Sequence, residues 1–112
     1  MKIFRKCVIV NPIFYYDMVI VVTDDFEAAA KKLKISVDTD SQAEALHVFA
    51  HCEGTSFILL HPKADIGVVV HEVWHAVRRL LEYINAGLDN EIVAYLLGYY
   101  TRHVVDILKG KK

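Results

Sequence analysis

Two histidines four residues apart, with a glutamate directly after the first, are the most chemically pointed feature of this chain: His71-Glu72-Val73-Trp74-His75. On a helix, residues i and i+4 project from the same face, so His71 and His75 can offer two imidazole nitrogens to one tetrahedral zinc ion. Glu72, one residue on, is rotated so that it can reach a water in the open fourth position. A carboxylate there can serve as general base and then as proton donor, while zinc lowers the water's pKa and polarises a scissile carbonyl. The bland alternative is a solvated helix face on which His71 and His75 sit beside Arg78 and Glu82, the last two pairing with each other.

A third metal ligand has two candidates downstream, Glu91 and His103. They lie twelve residues apart, about 18 Å along a helix, so they cannot both bind one metal. A plain antiparallel pair of helices turning near Gly87 would bring residues 99–103 level with His71 and His75 and leave Glu91 near Ile84. Glu91 reaches the pair only if the first helix ends early or the connection doubles back. Tyr95 shares a helical stripe with Glu91 and Arg102 and could donate a hydrogen bond to a tetrahedral oxyanion. Aromatic packing explains Tyr95, Tyr99 and Tyr100 equally well. Arg102 could orient the glutamate or bind a substrate carboxylate, or be a plain surface arginine. His47 and His51 share a strand face and could bind a metal, although a half-exposed strand accounts for them too. His61 and Cys52 belong to no ligand pattern.

These groups need elements to position them. Residues 3–10 are strand-like, and the β-branched run over 18–23 predicts a buried strand. Thr23 and Asp24 offer caps for a helix over Phe26–Leu33, and the polar stretch 36–42 reads as a loop. Residues 45–52 and 56–61 flank Glu53-Gly54-Thr55 and predict a β-hairpin at a sheet edge, with Pro62 ending its second strand. From about Asp65 the period turns helical, with Ile66, Val69, Val70, Val73, Val77, Leu80, Leu81 and Ile84 recurring at three- and four-residue steps. Asn85-Ala86-Gly87 supplies a stop, and Asp89 or Asn90 caps a last helix reaching about Leu108. The expectation is one α+β domain over 1–112: a small β-sheet with a hairpin, packed beside the helix that carries the motif and a C-terminal helix that walls its cleft.

With 112 residues, 54% of them hydrophobic, a single well-buried core is expected. The formal net charge of −1 gives no reason to expect nucleic acid or an anionic membrane as partner. Two cysteines, Cys7 and Cys52, make no disulfide framework and suit a reducing compartment. Lys2, Arg5 and Lys6 precede a short apolar run over 7–10 as in a signal peptide, but Asn11, Pro12 and Asp17 break the pattern. No apolar stretch is long enough to span a bilayer. A soluble, cytoplasmic protein is expected.

The motif with its flanks, HEVWHAV, followed by a short connection and Glu91-Ile92-Val93-Ala94-Tyr95, resembles the gluzincin arrangement. It is similar also to the H-E-x-x-H and E-x-x-A pairing of phage and mobile-element zincin-like proteins related to the ImmA/IrrE peptidases. The resemblance covers about residues 70–100. It implies zinc held by His71, His75 and Glu91, Glu72 as catalytic base, and a metallopeptidase acting on a peptide or protein in a bacterial or phage-infected cell. A catalytically inactive zincin scaffold that works by protein–protein interaction is the alternative.

Overall fold

The computed structural model describes residues 3–11, 16–36, 44–50, 54–84, 86–87 and 89–110. Seven elements follow the expected order: β1 (Phe4–Asn11), β2 (Tyr16–Thr23), α1 (Phe26–Leu33), β3 (Ala45–Ala50), β4 (Thr55–Leu60), α2 (Ile66–Tyr83) and α3 (Asn90–Leu108). The α+β class expected from the sequence is the one observed. The loop expected over 36–42 and the far end of the hairpin, with His51 and Cys52, lie outside the described residues.

The strands form one sheet in the order β1-β2-β4-β3. β1 pairs antiparallel with β2, and β3 antiparallel with β4, whereas β2 and β4 run parallel in the centre. Their position explains their composition. Side chains alternate across a sheet, and a central strand covered on both faces must be apolar at every position. Met18, Ile20 and Val22 of β2 and Ile58 and Leu60 of β4 face one way, while Val19, Val21, Phe57 and Leu59 face the other. α1 covers the second face with Ala29, Phe26 and Leu33. α2 and α3 cover the first with Val69, Val73, Val77, Leu80, Tyr100, Val104 and Ile107.

Each helix starts at an aspartate. Asp65 accepts a hydrogen bond from the Gly67 amide (3.0 Å), and Asp89 accepts from those of Glu91 and Ile92 (3.0 and 3.1 Å). α1 is capped by Asp25, which accepts from Ala28 at 3.0 Å, rather than by the expected Thr23 or Asp24. Thr23 instead accepts from the Asp25 amide at 3.1 Å and so holds the cap in place.

α2 lies mainly over β3 and β4, and α3 over β2. The far end of α2 meets the start of β2 and the hairpin turn, where Tyr83 contacts Tyr16 (ring centroids 5.6 Å) and crowds Gly54. The far end of α3 reaches the opposite end of the sheet, where Arg5 donates to the Ile107 and Leu108 carbonyls (3.2 Å each). The two helices therefore run antiparallel, side by side on one face. No helix among the described residues is long and apolar enough to cross a membrane.

Candidate metal centre

His71 and His75 fall on consecutive turns of α2, opposite its buried stripe, and both are exposed. Their Nε2 atoms approach to 3.1 Å, and the rings meet edge-on with centroids 4.7 Å apart. Two nitrogens on one tetrahedral zinc ion, each about 2.0–2.1 Å from the metal, stand roughly 3.3 Å apart. The pair is thus set at the spacing a shared ion requires, and imidazole nitrogens suit zinc chemically.

Glu72 differs from its neighbours. Its side chain is 13% exposed against 64% for His71, and its Oε2 lies 3.9 Å from His71 Nε2. Burial raises its pKa above the ordinary glutamate value, opposed by the two histidines. A half-buried carboxyl shifted toward neutrality, beside two imidazoles, can accept and return a proton in one reaction cycle.

The side of α2 on which this group sits is decided by the sheet. Along the row 75, 79, 83, each residue faces the hairpin. His75 stacks with His47 of β3 (centroids 6.2 Å, 18° between planes), Arg79 acts electrostatically on His47, and Tyr83 meets Gly54. Glu72, three residues before His75, belongs to the same flank. His75 thus looks toward the edge strand β3, and α3 flanks the helix on the other side. Glu82 is partnered by Arg79 at 3.6 Å, where the solvated-face alternative paired it with Arg78.

This arrangement sets Glu91 apart from the histidines. It lies exposed in the first turn of α3, level with the end of α2 in an antiparallel pair, roughly 13 Å along the axis from His75 and about 20 Å from His71. Tyr95 is 77% exposed on the same helix. His103 packs against Tyr99, with centroids 4.5 Å apart. Tyr100 is buried, and its hydroxyl accepts a hydrogen bond from the Asn11 amide group at 3.1 Å. Among the described residues, no three His, Cys, Asp or Glu side chains are gathered closely enough to hold a metal ion together.

What the sequence did not single out is a polar chain beneath the pair. His47 Nε2 and Ser56 Oγ share a hydrogen bond of 2.9 Å, and Ser56 Oγ is bonded in turn to the Tyr16 hydroxyl. Ser56 and Tyr16 are fully buried. Burial, then His75 and Arg79, push the His47 pKa down to about 4, so its ring is neutral at pH 7. Burial pushes Tyr16 up to about 12. The only signal in the sequence was His47 itself, two residues from Ala45 and therefore on the inward face of β3; the hairpin's neighbour on that face was not legible.

Comparison with protein-family models, curated proteins and solved structures finds no match to this chain.

Proposed function

We propose that the protein is a zinc-dependent metallopeptidase in which His71 and His75 hold the ion and Glu72 is the general base. The observation that carries this reading is the 3.1 Å approach of the two Nε2 atoms, with the half-buried carboxyl of Glu72 beside them. A zinc ion held there supplies Lewis acidity at a peptide carbonyl. Glu72 takes the proton of the attacking water and passes it to the departing amine, a cycle favoured by its raised pKa. β3 is an edge strand beside His75, so an extended peptide can add to the sheet there and pass across the pair. Such a substrate is a flexible segment of a protein in the bacterial or phage-infected cytoplasm.

The test is cleavage of a mixed library of unstructured peptides by zinc-loaded protein. Glu72→Gln should keep its zinc and lose cleavage by at least about a hundredfold. Zinc retained by the parent with no cleavage of any peptide would replace this reading with that of a zinc-holding interaction module.

A further inference from the structure

We propose that the exposed face of α3 is an interface between two copies of this chain. The copies meet as an antiparallel, two-fold symmetric helix pair, with Tyr95 of each protomer packed over Gly98 of the other.

The two halves of α3 are buried to different extents. Its buried residues, Tyr100, Val104 and Ile107, all lie in the second half. Residues 92–101 carry no charged side chain, yet in this stretch Tyr95 is 77% exposed, Ile92 49% and Tyr99 40%. Those three side chains leave roughly 300 Å² of mainly apolar surface in water, a patch of the size that on soluble proteins commonly marks a contact site.

Self-complementarity names the partner. Glu91, Tyr95, Gly98 and Arg102 recur at steps of four, three and four, so they form one row along the exposed face. Glu91 and Arg102 stand about 16 Å apart along the helix and cannot pair within one chain. An antiparallel second copy, with the two-fold axis between residues 96 and 97, changes that. Glu91 then meets the partner's Arg102, and Tyr95 meets the partner's Gly98. Ile92, on one flank of the row, comes beside the partner's Tyr99. Each contact occurs twice by symmetry, as an isologous interface requires.

Gly98 is an independent sign. Glycine weakens a helix interior, and nothing inside the chain requires it here, since an added Cβ would meet no atom within 4 Å. A position without a side chain lets a second helix come close and leaves a recess for an aromatic ring. The area fits a weak, reversible dimer. Two copies of the three exposed side chains offer roughly 600 Å², and the charged ends and the recess carry the total toward the about 1,000 Å² at the lower end of specific interfaces. The row is bounded by one acidic and one basic residue, not by the lysines and arginines that favour an anionic lipid surface, so a second copy is the better match.

Sedimentation velocity of the tag-free full chain tests this. A chelator is kept present, so that exposed histidines cannot bridge protomers through stray metal and the outcome does not depend on the metal reading. Between about 1 and 200 μM the parent should pass from monomer to dimer. Gly98→Leu fills the recess and should weaken association by at least about a hundredfold, while thermal unfolding shows its monomer undamaged. Glu91→Arg or Arg102→Glu alone sets like charges opposite each other twice and should weaken association about tenfold. The two reversals together should return it to within about threefold of the parent. A parent that stays monomeric across this range would overturn the proposal. Binding of that monomer to mixed phosphatidylcholine and phosphatidylserine vesicles, lost in Tyr95→Ser, would give the face to a membrane instead. A dimer indifferent to Gly98→Leu and to the single reversals would put the interface elsewhere and overturn the proposal equally.

Discussion

At the scale of single residues, neighbouring side chains of one polypeptide are driven in opposite directions by the same burial. Glu72 and Tyr16 are raised and His47 is lowered, because loss of water penalises the charged form of each. Tyr16 has a consequence that is measured without any metal. Its folded-state pKa is raised to about 12 from 10.0, so above pH 10 the unfolded chain releases a proton that the folded chain keeps. Stability contributed by the neutral phenol is complete below pH 10 and is lost as the pH rises toward 12, and the unfolding constant grows by up to tenfold per pH unit in that window. Denaturant unfolding followed at several pH values should show this slope in the parent and a shallower one in Tyr16→Phe. Tyr100, raised by its own burial, supplies the remainder in that variant. The motif residues were legible because i, i+4 spacing is local geometry. The partnership of His47, Ser56 and Tyr16 was not, because it joins three strands whose pairing no local pattern encodes.

At the scale of elements, the periodicities sufficed to find every helix and strand among the described residues, in order. They failed on pairing. β2 and β4 each carry an unbroken apolar run, over 18–22 and 57–60, which marks them as buried without saying that they are each other's parallel neighbours. That pairing pushes β3 to the edge and decides which flank of α2 meets a strand and which meets α3. The joint between hairpin and helix is tight at Gly54. Its φ of +58° is costly for other residues, and an added Cβ would stand 2.7 Å from the Tyr83 ring. Gly54→Ala should therefore cost about 2 kcal/mol or more by chemical denaturation, from backbone strain together with displacement of Tyr83. In Gly54→Ala/Tyr83→Ala the steric part of that cost should disappear and the strain remain. Equal costs of Gly54→Ala in the two backgrounds would show that the helix and hairpin are not locked at this point.

At the scale of the whole molecule, three layers divide the work. α1 closes one face of the sheet, and the core beneath α2 and α3 fixes the other. On that support His75 of α2 lies beside His47 of β3. A metal bound by the pair would be carried by one helix. The fold class followed from the sequence because composition and element order constrain it strongly. The place of Glu91 turns on how α2 and α3 connect: in an antiparallel pair it stands level with the end of α2, away from the histidines. The claim on which all of this depends is that His71 and His75 hold zinc. Calorimetric titration of tag-free, metal-stripped protein with zinc should give one ion per chain, with binding lost in His71→Ala. No saturable uptake by the parent, or undiminished uptake by His71→Ala, would contradict it.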